Sequence, residues 1–510
     1  MRWRRRRCGS TEIDSGRGTF DGGMAGAFCR LRGGGRAATV PYRRGGPMPA
    51  FQNDTAFFGH PRGLFYLALT QVWERFSFYG MQALLGLYMV NELLLPGHVE
   101  QVIGFAGFRA GLEAVGGPLT RIALSAQIFG LYVGLVNLTP LLGAWLGDRI
   151  LGQRRTVMAG LLLMAAGHLL MGLEATFLFA LLSLVLGAGF LKGNMYAQVG
   201  ELYPRGDARC GRAFSIFLVA LNVGAFLAPL VCGTVGEIYG YHYGFGIAAL
   251  GMFIGLGFYM AGTRHLPPDR RRPRRGAADA PPAIDRRGWR AIVAILLMII
   301  ATIPINTASY QAYNVLILWA ADHVDRGLFG LNIPVTWLLT FDGLMTIVGV
   351  ALSVAVWRWL AARRREPDSY GKIVVSGGLV ALAYVLLALG AEVAGPAPVP
   401  ILMVLLFFVL IDLAYAWYDP PSNSFVSRFA PAAVTTTMMS LMLMSVGIAN
   451  VVLGWLGRFY EPLGPARFWW LNAAIAGGGV VLALLLRPVA RRLLAGHPAG
   501  IDAAGATTAF

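Results

Sequence analysis

From Leu64 to about residue 487, apolar runs of bilayer-crossing length alternate with short polar connectors. In a helix, about 20 apolar residues cross the ~30 Å hydrocarbon core. About twelve runs qualify, near residues 64–92, 121–146, 154–173, 175–198, 212–233, 243–262, 289–321, 334–361, 372–392, 399–418, 434–457 and 467–487. The first run breaks the pattern, because Glu74 and Arg75 lie side by side well inside it. At about 100° per residue, Gln71, Glu74, Arg75, Tyr79 and Gln82 share an arc of roughly 140°. Charge at that depth is costly and faces a bundle interior or a wet cavity, so the stripe reads as the lining of a pathway. The plainer alternative is a buried ion pair that only holds helices together.

The connectors alternate in charge. One set carries Arg149, Arg154 and Arg155, then Arg205, Arg209 and Arg212, then nine arginines from Arg264 to Arg290, and later Arg363 to Arg365, Lys372, Arg428, Arg487, Arg491 and Arg492. The opposite set has only Arg109, Arg121, Arg326, Arg458 and Arg467 in or near it. This bias places both termini in the cytoplasm of a multi-pass inner (plasma) membrane protein. The proline- and arginine-rich stretch 264–288 is the natural midpoint, a basic cytoplasmic linker along the anionic leaflet. It divides the chain into a tail (1–60), a six-helix bundle (61–263), the linker, a second six-helix bundle (289–488) and a final tail (489–510). The first tail holds an arginine cluster from Arg2 to Arg7 and reads as disordered, with Met48 as an alternative start.

Composition narrows the function classes. With 56% hydrophobic residues and only 14% charged, the chain is an integral membrane protein with little soluble domain. The net charge of +17 belongs to the membrane orientation, so nucleic acid is not an expected partner. The 4 cysteines have no metal-ligand spacing, and no nucleophile triad, phosphate loop or metal cluster stands out. The expectation is a protein that is not an enzyme, with no catalytic residues, cofactor or metal, whose partners are a small solute, protons and the lipid bilayer.

Three further stretches carry chemistry. Gly143-Ala-Trp-Leu-Gly-Asp-Arg-Ile-Leu-Gly-Gln-Arg-Arg155 joins the second and third runs, and its Asp148, Arg149 and Arg155 either latch one conformation or only fix orientation. Lys192 lies in the fourth run between small glycines, about six residues from its inner end, so depth alone leaves snorkelling open. Asn222 in the fifth run either bridges helices or meets a ligand.

These stretches carry a resemblance. Glu74-Arg75-Phe76-Ser77-Phe78-Tyr79-Gly80-Met81 resembles the first-helix motif Glu-x-x-Glu-Arg-Phe-x-Tyr-Tyr-Gly of the proton-dependent oligopeptide transporters, within the major facilitator superfamily. Gly187-Ala-Gly-Phe-Leu-Lys-Gly-Asn194 is similar to its Gly-x-Gly-x-x-Lys-Pro-Asn, and Leu221-Asn-Val-Gly224 to its fifth-helix Ile-Asn-x-Gly. The 143–155 loop resembles the superfamily's signature loop. The second half matches through Ile333-Pro334 with Asp342, and through Asp419-Pro-Pro-Ser…Ala430-Pro431, read as the end of the tenth run.

The resemblance implies an all-α membrane fold of two pseudo-symmetric six-helix bundles, and proton-coupled import of di- and tripeptides by alternating access. It implies proton coupling at Glu74, Arg75 and Lys192, and substrate contacts from Tyr79, Gln82, Lys192, Asn222, Gln311, Asp342 and Tyr415. The departures bear on substrate. Gln71 and Gln82 replace a family glutamate and arginine, Tyr310 and Tyr415 stand where the family has acids, and Asp342 replaces an amide. A non-peptide amino-acid-like or amphiphilic solute, or a non-transporting ligand sensor, are the alternatives. Retention of Glu74 and Lys192 argues for transport.

Overall fold

The computed structural model describes residues 54–204, 207, 209–269, 284–328, 330–431 and 433–495. The expectations for the first tail with Met48, for Arg205, for the middle of the linker and for the last residues fall outside them.

Among the described residues the fold is all-α, with about twelve long helices or helix pairs in two bundles. In the first half these are α1 (Arg62–Tyr88), α3 and α4 (Arg121–Leu138 and Pro140–Arg149), α5 (Gln153–Leu170), α6 (Phe177–Glu201), α7 with α8 (Arg209–Ala228 and Thr234–Tyr239), and α9 (Tyr241–Gly262). In the second they are α10 with α11 (Arg286–Tyr310 and Val315–His323), α12 (Trp337–Ala362), α13 (Ser369–Ala394), α14 (Ile401–Phe429), α15 (Thr435–Leu456, extended by α16, Tyr460–Leu463) and α17 (Pro465–Leu494). By length and apolarity alone ten stretches are long enough to cross; α1 and α5 complete the set, packed against α7 with α9 and against α6.

Burial is inverted relative to a water-soluble protein. Large apolar side chains such as Leu162, Leu182, Ile347, Leu402 and Leu485 are exposed on the outer faces, while charges such as Glu74, Arg75 and Asp412 are buried. Glycines set the closest approaches. A Cβ on Gly224 would lie 2.3 Å from the Val72 carbonyl and 2.9 Å from the Arg75 Cβ, so α7 lies directly on the charged turn of α1.

Three local features depart from the sequence reading. The Asp419-Pro-Pro stretch does not end the tenth span: α14 continues through Pro420 and Pro421 to Phe429 and stops at Ala430, whose extended backbone (ψ 131°) is the conformation favoured before Pro431. The seventh span breaks between α10 and α11 in a 3₁₀ turn, Gln311–Tyr313, followed by Asn314. A short helix, α2 (Phe105–Gly116), lies between the first two spans with most residues exposed. Strands are vestigial: β1 (Val324–Asp325) pairs in parallel with β4 (Val399–Pro400), and β2 (Gly327–Leu328) with β3 (Leu331–Asn332) antiparallel.

The halves are joined at the arginine-poor end. On α3 and α15, a Cβ on Gly130 would lie 2.5 Å from the Asn450 carbonyl, and one on Gly134 3.0 Å from that of Gly447. Arg458 donates to the Gly116 carbonyl at 2.5 Å, and Asn314 Nδ2 to the Ala126 carbonyl at 3.2 Å. Glu237 forms the most connected of these joints. Its carboxylate accepts from the backbone N–H groups of Val335 and Thr336, both at 2.8 Å, and from the Thr336 hydroxyl at 2.6 Å. It thereby caps α12 from the other half. Nearby, His98 is paired with Glu174 at 2.7 Å and His242 with Glu92 at 3.1 Å. The Glu174 hydrogen bond raises the His98 pKa above its usual value.

Candidate functional site

The charged turn of α1 is buried and internally satisfied. Arg75 grips Glu74 with two hydrogen bonds, Nε to Oε2 at 2.5 Å and Nη2 to Oε1 at 2.6 Å, and Gln71 Nε2 donates to the same Oε2 at 3.4 Å. Glu74 is 1% exposed and Arg75 5%. Such a fork-to-fork pair is the geometry in which a buried arginine and carboxylate offset each other's desolvation.

Phe78, one turn on, is shared by two cations. The Arg75 guanidinium lies 5.0 Å from its ring centre and the Lys192 ammonium 5.5 Å. Lys192 reaches only one hydrogen-bond acceptor among the described residues, Asn137 Oδ1 at 3.5 Å, and no carboxylate lies within 4 Å of it. Lys192 is therefore held inside the bundle rather than snorkelling to the surface. Tyr79 and Gln82 are half-buried beside this turn.

Across the interface the second half presents acids and tyrosines. The Tyr313 hydroxyl donates toward both oxygens of Asp342, at 3.1 and 3.0 Å. Asn423 Nδ2 donates to Asp419 at 3.1 Å, and Tyr415 lies within hydrogen-bonding reach of the same carboxyl. Tyr415 is 40% exposed and has Asp419, Tyr310 and, from the other half, Tyr79 as electrostatic neighbours, so its exposed face borders the space between the halves. Tyr79 and Asp342 interact across that space, as do Tyr196 and Asp419.

The structure thus gathers Glu74, Arg75, Tyr79 and Lys192 on one side and Asp342 and Tyr415 on the other. It does not gather all the residues named from sequence. Gln311 is 0% exposed at the helix break, and neither of its amide atoms has a hydrogen-bond partner among the described residues. Asn222 is half-buried and spends its amide donor on the Leu218 carbonyl of its own helix at 2.9 Å. Arg155 lies 3.9 Å from Asp269 at the start of the linker, Arg149 is exposed and Asp148 is half-buried. Asp419, Tyr196 and Tyr313 were missed as site residues. For Asp419 a signal existed, since it is a charge within an apolar run, but taking Asp419-Pro-Pro as the end of the span placed it outside.

A two-half bundle with facing charged surfaces at its centre is the architecture of a membrane transporter. The POT family profile (PTR2) matches residues 154–275 and 284–462. The chain is 28% identical to the peptide transporter YePEPT of Yersinia enterocolitica, over 86% of this chain and 96% of that protein. It is 38% identical to a di-/tripeptide transporter of Lactococcus lactis over a shorter stretch, 44% of this chain and 42% of that one. Among solved structures, a peptide transporter POT in complex with sulfate superposes with a TM-score of 0.73 at 27% identity, covering 86% of this chain and 96% of that one. This chain belongs to the POT family, the proton-dependent oligopeptide transporters of the major facilitator superfamily.

Proposed function

We propose that this protein is a proton-coupled symporter that imports di- and tripeptides by alternating access, seated in the inner membrane with the arginine-rich end in the cytoplasm. The observation that carries the reading is the charge asymmetry of the central space. Half-buried Lys192, with no carboxylate partner among the described residues, lies in the first half, while Asp342 and Asp419 lie in the second, next to Tyr79 and Tyr196 of the first. A zwitterion fits it, with its carboxylate on Lys192 and its ammonium on the acidic wall. The arginine-rich connectors, placed next to the anionic inner leaflet, support the orientation. Glu74, Arg75 and Lys192 supply the proton-sensitive element: the Glu74–Arg75 grip loosens when Glu74 takes up a proton, freeing a cation beside Lys192. The departures at Gln82 and Tyr415 move the contacts for the peptide's two ends without abolishing either. As family membership implies, the driving force is the proton gradient and no cofactor is required.

Thermal unfolding of the purified protein against a ligand panel tests this. Di- and tripeptides at 100 times their Kd should stabilise by about 2.7 kcal/mol, single amino acids and amphiphiles by far less. Stabilisation by the non-peptide solutes alone would reject the peptide assignment. Within that panel, Asp342→Asn should weaken amine-bearing peptides about 10- to 100-fold and leave their des-amino analogues unchanged, because a buried ammonium loses its charge-assisted partner. Equal weakening of both classes would remove Asp342 from the ammonium site.

A further inference from the structure

Asp412, on α14, is the most deeply buried carboxyl among the described residues of the second half, 2% exposed. One of its oxygens accepts from the Thr346 hydroxyl at 2.5 Å; the other has no hydrogen-bond partner. Thr346 lies one turn beyond Asp342 on α12, and its hydroxyl also lies 3.2 Å from the Asp342 backbone carbonyl, so the turn that carries Asp342 is the one that bonds Asp412. The helices meet closely here, since a Cβ on Gly349 would stand 3.1 Å from the Asp412 carbonyl.

The groups facing the two acids are all neutral or acidic. Tyr313 hydrogen-bonds Asp342, while Tyr310 and Tyr79 border it from α10 and α1. Lys372 on α13 is committed to Glu366 at 2.6 Å. Arg358 lies sixteen residues along α12 from Asp342, about 24 Å away. Arg75 and Lys192 belong to the other half. Two buried carboxylates that act on each other electrostatically, with no cation beside them among the described residues, do not both stay ionised.

We propose that Asp342 and Asp412 form a proton-sharing carboxyl pair, a second proton-binding site in the C-terminal half that is separate from Glu74. The orphan Oδ2 of Asp412 is the atom that carries the proton, and its Oδ1 keeps the Thr346 bond. The pair then holds a single negative charge, which leaves Asp342 ionised and facing the central space. Placed between α12 and α14, the shared proton ties the protonation of this half to the packing of two helices that line the transport route.

Infrared difference spectra of the full-length protein in lipid, recorded against pH without substrate or gradient, read this directly and independently of transport. The wild type should show one protonated-carboxyl carbonyl band at neutral pH that is absent from Asp412→Asn and retained in Glu74→Gln. In Asp342→Asn the neighbouring charge is gone, so the Asp412 band should titrate at a proton concentration at least tenfold higher. Thr346→Val removes no charge; by withdrawing the donor that favours the ionised form, it should move the same band towards higher pH. A band unchanged in Asp412→Asn, or one that titrates identically in wild type, Asp342→Asn and Thr346→Val, overturns the pair.

Discussion

Glu74→Gln is expected to abolish concentrative uptake while leaving exchange of labelled for unlabelled substrate across the membrane intact. Glu74 is both the partner of Arg75 and the carboxyl that acts electrostatically on Lys192. In the ionised state its two oxygens hold Arg75 through Nε and Nη2. A proton on Glu74 converts that charge pair into a lone buried cation, a change worth roughly 3–5 kcal/mol when one member of a buried pair is removed. Glutamine fixes the site in its proton-loaded form, so the protein still binds and exchanges substrate but cannot be reset by the gradient. Lys192→Gln should remove net uptake too, and with it affinity for the peptide carboxylate, which separates the two residues. The paired measurement is gradient-driven uptake and counterflow in the same proteoliposomes. Full gradient-driven uptake by Glu74→Gln would refute the assignment.

Glu237→Ala is expected to loosen the arginine-poor end of the molecule. Its carboxylate satisfies two backbone N–H groups at the start of α12 and the Thr336 hydroxyl, with Arg326 at 3.8 Å. These bonds cross between the halves, so they stabilise only conformations in which this end is closed. Hydrogen bonds to a charged group contribute about 1.5–3 kcal/mol each, and neighbouring bonds are not additive. A shift of roughly 2–4 kcal/mol away from the closed end is therefore expected. Distances between spin labels on α8 and α12 should change from one narrow population to two, with the longer one dominant in Glu237→Ala. A distribution identical to wild type would mean the joint does not control this end. The α3–α15 glycine seam would then be the element that holds it.

Much of this was legible in the sequence because a bilayer forces a simple grammar. Backbone groups in hydrocarbon must be paired within their own helix, so apolar length marks each span, and arginine placement marks the connectors. The stripe of Gln71, Glu74, Arg75 and Tyr79 was readable for the same reason: charge inside an apolar run needs an explanation. What escaped was tertiary. Prolines normally end helices, yet α14 runs through Pro420 and Pro421, which carried Asp419 into the central space. The break in the seventh span beside Gln311 was likewise invisible, because the apolar run continues through it. The Glu237 joint and the Asp342–Thr346–Asp412 contact link residues about 66 to 99 positions apart, a relation that no local period encodes.

Proton-driven peptide transport is read out by gradient-driven accumulation in vesicles. Purified full-length protein in proteoliposomes, loaded with neutral buffer and diluted into acidic buffer, should accumulate labelled dialanine above its external concentration. A protonophore should return it to equilibrium. Accumulation that persists with the protonophore, or entry that never exceeds equilibrium under the gradient while the peptide binds, would contradict the account.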